Sequence, residues 1–241
     1  MTTTTAVKTG TLYGIGVGPG DPELITIKAF RLMKECPVIA YPKKRMGGKS
    51  YALEIVELYT NPAEKEMLGL VFPMTKDPGV LEREWSKTVE QCWSHLREGR
   101  DIAFVTEGDP NLYSTFIHMA RLLQELHPEV PVRSVPGISS VLGAAARLGL
   151  PLADGDEQVA IVPATGDRAA MRKAIQEHDA IVFIKVAKVL DMMIDILEEL
   201  GLADKASVVT KVTSAEERIW RDVRKLRGEE LEYLTLMAVR K

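Results

Sequence analysis

The chain has 241 residues, 46% hydrophobic and 27% charged, with a net charge of −3, which is ordinary globular composition and argues against nonspecific nucleic-acid binding. Two distant cysteines, Cys36 and Cys92, exclude a disulfide scaffold or a zinc site and read as small buried residues. No apolar run approaches the roughly 20 residues of a membrane helix, and the Thr-rich start lacks the basic and apolar regions of a signal peptide, so a cytoplasmic protein is expected.

Residues 12–18 are expected as a first strand and 19–23 as a tight loop. A helix over 26–35 carries Ile27 and Phe30 on one face. A second strand, 38–41, runs into a basic loop with Lys43, Lys44, Arg45 and Lys49 around a Gly-Gly pair. A helix near 51–59 and a strand near 67–72 follow. The helix near 80–97 spaces Trp85, Val89, Cys92, Trp93 and Leu96 for one face, which reads as core. Strand 101–105 leads into the turn Glu107-Gly108-Asp109-Pro110. The helix after it runs to about 127, with Phe116, Ile117, Ala120 and Leu123 apolar. Strand 132–135 and helix 141–148 come next, and Gly149 suits a left-handed cap.

Residues 151–157 hold proline, glycine and three acidic residues. A boundary is expected there, giving domains 1–154 and 155–241. The second set begins with strand 158–162, helix 167–177 and strand 180–185. A helix near 188–200 places Leu190, Met193, Ile194 and Leu197 on one face. Strand 206–211, an ambiguous stretch 218–227 and a last strand 233–239 complete the chain. Strands alternating with helices argue for α/β in both halves.

The first loop invites a dinucleotide interpretation and fails on spacing. Counted from Gly14 and Gly16, the third glycine position is Pro19; counted from Gly16 and Gly18, it is Asp21. Asp21 and Glu23 would also repel phosphates. The Gly-Asp-Pro turn is more informative. It joins a strand to a helix, which places it at the carboxyl edge of a parallel sheet, where open α/β sheets bind ligands. Gly108 lets the backbone approach a ligand, Pro110 stiffens the turn, and Asp109 puts a carboxylate at the rim.

Five segments, in order, carry a family resemblance: LYGIGVGPGDPELIT (12–26), EGDPNLYST (107–115), VPGISS (135–140), IVFIKV (181–186) and VVTKVT (208–213). Together they resemble the tetrapyrrole methylase family of S-adenosylmethionine-dependent methyltransferases. The Leu-Tyr-Ser-Thr-Phe run after Gly-Asp-Pro is similar to that of the members that methylate C20 of precorrin-2 or cobalt-factor II. The resemblance implies two α/β domains with the active site in the cleft between them, a homodimer, and a folded, compact cofactor pose. By matching motif positions it implies cofactor contacts from Gly108, Asp109, Tyr113, Ser139, Ser140, Val162, Lys185, Val186, Thr213 and Ala238. Pro19 would shape the substrate side.

Simpler roles stand beside these. Ser139 and Ser140 suit a helix cap. Lys185 suits a surface lysine ending an apolar strand. Tyr113 suits a core aromatic, and Asp109 a residue that closes its own turn.

The implied chemistry is methyl transfer from a sulfonium to C20 of a reduced tetrapyrrole. A carboxylate would stabilise positive charge on the macrocycle or accept the C20 proton, with Asp109 the first candidate and Glu107 the second. Lys43, Lys44, Arg45 and Lys49 would dock a carboxylate-rich substrate, or form a solvated loop. The histidines His95, His118, His127 and His178 are scattered, so no protein-bound metal is expected, and any cobalt would arrive inside the substrate. Uroporphyrinogen III or a diphthamide precursor are alternative substrates within the family. A noncatalytic module for a nucleotide-like ligand is the alternative of another class. A nicotinamide oxidoreductase is disfavoured by the failed glycine fingerprint.

Overall fold

Short apolar runs of the first half pair side by side. The strands are β1 (Leu12–Gly16), β2 (Val38–Lys43), β3 (Glu66–Val71), β4 (Ile102–Thr106) and β5 (Val132–Val135). Their order is β3-β2-β4-β1-β5, and every pairing is parallel. Parallel neighbours need crossovers. These run through α1 (Ile27–Glu35), α2 (Tyr51–Glu57), α3 (Pro78–Leu96) and α4 (Thr115–Leu126). The computed structural model describes residues 8–43, 50–72 and 77–241.

Helices cover both faces of this sheet, so its central strands are apolar throughout. Every residue of β4 is buried. On one face, Leu12, Phe104 and Phe116 pack with Val89, Cys92 and Leu96 of α3. On the other, Ile15, Ile39 and Val105 pack with Met33 of α1 and with Ile55 and Val56 of α2. Pro42 has no N–H to give a ladder, and β2 pairs with β4 only over Val38, Ile39 and Ala40, short of it.

On two helices the buried set differs from the apolar residues that the sequence marks out. Ile27 and Phe30 do share a face of α1, but it is the outer one: Ile27 is 87% exposed, and Ala29, Leu32 and Met33 are buried instead. On α4, Ile117 is exposed and Met119 takes the core position beside Phe116 and Leu123. The α3 expectation holds, with Val89, Cys92 and Leu96 buried and both tryptophans packed against them.

The second unit comprises α5 (Ser140–Leu148), β6 (Val159–Pro163), α6 (Arg168–Glu177), β7 (Ala180–Ile184), α7 (Leu190–Glu199), β8 (Ala206–Thr210), β9 (Arg218–Trp220) and β10 (Thr235–Arg240). Its sheet order is β6-β7-β10-β8-β9. The β6–β7 pair is parallel, and β10 runs antiparallel to both β7 and β8. Ile181, Phe183, Val208 and Met237 face the helices and meet Ile175 of α6 and Met193, Ile194 and Leu197 of α7. The stretch expected to be ambiguous forms β9 and a 3-10 turn over Val223–Leu226.

The two units divide between Ser139 and Ser140, upstream of the expected boundary at 154/155. The physical reason is α5. It packs on β10, Arg147 pairs with Glu217, and the Leu148 carbonyl accepts from Arg221. The acidic stretch is likewise tied to this unit, because the Arg240 guanidinium engages the Pro151 carbonyl and the Glu157 carboxylate. Gly149 ends α5 at φ +66°, the left-handed cap expected of it.

Burial pushes the thiols of Cys36 and Cys92 up to about 12; at Cys36 the neighbouring Asp101 adds to the effect of burial. A thiolate is therefore absent at ordinary pH. Ellman's reagent at pH 8 is expected to leave both thiols of the native protein untouched and to titrate both in denaturant. Fast reaction of either thiol in the folded protein would contradict this packing.

Candidate active site

Three loops leave adjacent parallel strands at one edge of the first sheet: those after β1, β4 and β5. Their backbones converge on a single atom, the Gly108 carbonyl oxygen. A Cβ on Gly16 would sit 2.4 Å from that oxygen, and one on Gly137 only 2.2 Å away. No side chain fits at either position. Gly108 itself has φ +64°, a left-handed conformation that glycine adopts without strain. Its N–H donates to the Gly18 carbonyl at 2.8 Å, joining the β1 and β4 loops.

Asp109 fixes the rest of the turn. Oδ1 accepts from the Asn111 N–H at 2.8 Å, and Oδ2 accepts from the Gly137 N–H at 3.0 Å. The carboxylate thus closes its own turn and also ties the β4 loop to the β5 loop. Thr106 and Ser114 share a buried hydroxyl contact at 3.0 Å beneath, and Ser114 caps α4 by accepting from the Phe116 N–H. Asn111 Oδ1 accepts from Ser134 Oγ at 3.0 Å. The rim of the turn is therefore built by short polar side chains, each with a backbone or hydroxyl partner.

Around this frame the expected site residues fall into groups. Glu107 is exposed, immediately ahead of the turn. Tyr113 is not a core aromatic: it is 49% exposed and left-handed at φ 53°. Ser139 and Ser140 are half-buried where α5 begins. Pro19 is buried, so it sets loop shape and offers no open surface. Lys43 ends β2 at the same sheet edge, yet its chain lies across Gly69 and its ammonium sits 4.9 Å from the centre of the Tyr41 ring. Lys44, Arg45 and Lys49 lie outside the described residues.

The second sheet has its own loaded edge. β6, β7 and β8 all run antiparallel to β10 or parallel to a strand that does, so their carboxyl ends share one side. Two loops there adopt left-handed conformations without glycine. Lys185 follows β7 at φ 59°, and Lys211 and Thr213 follow β8 at φ 44° and 65°. Such residues persist only where their surroundings hold them, and they concentrate at functional sites.

Lys185 is exposed at this edge, as a strand-ending lysine should be. Val186 is fully buried in the helix-covered core, and Val162 is half-buried against it. Ala238 is also buried; it lies inside β10, in register with Val182 and Ser207.

Sequence reasoning did not single out the charged groups that support the β8 loop. The Lys211 ammonium pairs with Glu216 and, at 2.9 Å, with Glu232. Glu217 accepts from the Thr213 N–H at 2.7 Å and pairs with Arg147 of α5 at 2.7 Å. Burial would raise the Glu217 carboxyl, but the Arg147 and Thr213 hydrogen bonds outweigh it and hold the group below the usual carboxylate range. A cavity of about 380 Å³ opens beside this loop, lined by Thr210, Glu216, Glu217, Arg218, Trp220 and Glu232 among others. Gly137 was also not singled out: it lies two residues beyond β5, after Pro136, and its approach to the Gly108 carbonyl gives it its role.

The histidines serve local packing. His127 stacks on Trp93 with ring centres 4.0 Å apart, His118 meets Trp85 edge-on, and His95 contacts Arg100 and Glu66. Among the described residues no group of three or more His, Cys, Asp or Glu is placed to hold a metal ion. Among the same residues no helix is long and apolar enough to cross a membrane.

Comparison with known proteins bears on the whole chain. A probable cobalt-precorrin-2 C(20)-methyltransferase of Methanocaldococcus jannaschii is 40% identical over 174 residues, 72% of this chain and 71% of that protein. The cobalt-precorrin-2 C(20)-methyltransferase of Salmonella typhimurium is 31% identical over 233 residues, 96% of this chain and 97% of that protein. The crystal structure of uroporphyrin-III C-methyltransferase from Thermus thermophilus, complexed with S-adenosylhomocysteine, shares the fold. Its TM-score is 0.66 at 22% identity, covering 96% of this chain and 98% of that one. The sequence model of the tetrapyrrole (corrin/porphyrin) methylases matches residues 11–226, and the chain belongs to that family.

Proposed function

We propose that this protein transfers a methyl group from S-adenosylmethionine to C20 of precorrin-2 or its cobalt complex, in corrin biosynthesis. The observation that carries this proposal is the Asp109 turn, a glycine-only backbone junction with a carboxylate at its rim, in a chain whose relatives are named for that reaction.

The donor set suits a sulfonium cosubstrate. The turn from Thr106 to Thr115 holds two carboxylates, several hydroxyls and one exposed aromatic ring, and no basic side chain that would call for a phosphate. When bound, S-adenosylmethionine supplies a methyl group that is already activated by its leaving sulfide.

The chain's own residues then have three tasks. Gly108, Asp109 and Tyr113, with Ser139 and Ser140, hold and orient the cosubstrate on the first edge. Lys185, Thr213 and the backbone of Val162 and Val186 contribute on the second, with Ala238 beneath them. Alignment of carbon, methyl and sulfur, with water excluded, is the main catalytic term for such a leaving group. Asp109, or Glu107 beside it, places negative charge where the macrocycle becomes positive and where the C20 proton must leave. Lys43 and the following Lys44, Arg45 and Lys49 meet the substrate's carboxylates, and Pro19 shapes the loop on that side.

A homodimer and a cytoplasmic location belong to the same proposal. The exposed Ile27 and Phe30 on one face of α1, with the Tyr59 ring edge-on to Phe30, support self-association.

Anaerobic incubation with S-adenosylmethionine and either precorrin-2 or cobalt-factor II, read by mass spectrometry, is expected to add one methyl group, placed at C20 by NMR. Cosubstrate binding without methylation of either would move the substrate to another tetrapyrrole; failure to bind the cosubstrate would overturn the proposal.

Replacing Asp109 with asparagine leaves one of its two backbone N–H partners without an acceptor. Asp109→Asn is therefore expected to weaken cosubstrate binding and to lower kcat by roughly ten- to a hundredfold. Near wild-type turnover with intact affinity, by calorimetry and steady-state kinetics, would remove Asp109 from the mechanism.

A further inference from the structure

The β8 loop poses a physical problem. Lys211 and Thr213 both hold left-handed backbone conformations, and neither is glycine. The backbone does not favour that shape at non-glycine residues, so side-chain contacts must hold it. The Lys211 ammonium is held by Glu216 and Glu232, and at Thr213 the hydrogen bonds point to one group. Oε2 of Glu217 accepts from the Thr213 N–H at 2.7 Å. Both oxygens of the same carboxylate accept from the Arg147 guanidinium, Nε to Oε1 at 2.8 Å and Nε to Oε2 at 3.1 Å. Arg147 stands near the end of α5, seventy residues away in sequence. The Glu217 side chain is only 9% exposed, whereas Arg147 reaches it from the surface, 55% exposed.

We propose that Arg147 and Glu217 form a positioning latch that holds the Lys211–Thr213 loop in the shape needed to bind the sulfonium cosubstrate. The latch rests on the methyl-transfer proposal, since Thr213 is a cosubstrate contact only within it. Neither residue touches the reacting atoms. Glu217 acts through the Thr213 backbone, and Arg147 acts by keeping Glu217 charged and aimed. A carboxylate can accept from the fork and from the N–H together, which an amide cannot do. The three partners all lie within the second unit, so the latch is complete there.

An ordinary ion pair would add stability and nothing else. The latch makes a different prediction, namely selective loss of affinity for the cosubstrate. Calorimetric titration with S-adenosylmethionine, and the KM values for cosubstrate and tetrapyrrole, separate the two. Glu217→Gln is expected to raise the cosubstrate Kd and KM roughly tenfold or more, as for loss of a charge-assisted hydrogen bond. The tetrapyrrole KM should stay within about twofold. Arg147→Lys, which keeps the charge without the fork, should fall between wild type and Glu217→Gln. It also serves where Glu217→Gln does not fold.

Amide exchange at Thr213 should quicken in both variants. Folded variants with wild-type cosubstrate affinity would overturn the latch while leaving the methyl-transfer proposal intact. A wild-type protein that binds no S-adenosylmethionine would overturn that proposal, and the latch with it.

Discussion

The first half of this protein is organised around a steric limit at one carbonyl oxygen. The Gly108 carbonyl lies so close to Gly16 and Gly137 that a Cβ on either would overlap it. The strand order makes this convergence possible, because β4, β1 and β5 are neighbours and all present their carboxyl ends to the same edge. Once the three backbones meet, little else in the rim is free to vary. The Gly108 N–H finds the Gly18 carbonyl, and the Gly137 N–H finds Asp109. The rim is therefore set before any ligand arrives. That suits a reaction whose leaving group is already activated and whose barrier is lowered chiefly by alignment.

The second unit reaches a comparable rigidity by the opposite route. Its β7 and β8 loops turn through left-handed conformations at lysine and threonine, where a side chain is costly. Charged side chains supply the restraint that missing Cβ atoms supply in the first unit. Lys211 is gripped by Glu216 and Glu232, and the Thr213 amide by Glu217. One edge is thus a backbone junction that tolerates almost no substitution, and the other a polar network that depends on ionisation.

Much of the fold was legible in the sequence. Apolar runs of four to six residues between helical repeats located the strands, and Gly149 announced its left-handed cap. Periodicity reports which residues share a face, but not whether anything covers that face. Ile27 and Phe30 were correctly paired on one face of α1, and that face is the outer one. The burial of Val186 was invisible, because the chain leaves β7 at Lys185 and turns there into a short 3-10 helix. The unit boundary was placed too late because an apolar helix such as α5 does not declare which sheet it will cover. At the site, Gly108 and Asp109 stood out as a motif. Gly137, Arg147 and Glu217 did not, because their roles come from contacts between residues distant in sequence.

Calorimetric titration of a Gly137→Ala variant with S-adenosylmethionine tests most directly whether the glycine junction builds the cosubstrate site. The added methyl must displace the Gly108 carbonyl, because the overlap is with backbone rather than with a yielding side chain. A variant that remains folded by circular dichroism should bind S-adenosylmethionine at least roughly tenfold more weakly than wild type. Wild-type affinity in that folded variant would show that the cosubstrate does not depend on the junction, and the site would have to be sought elsewhere.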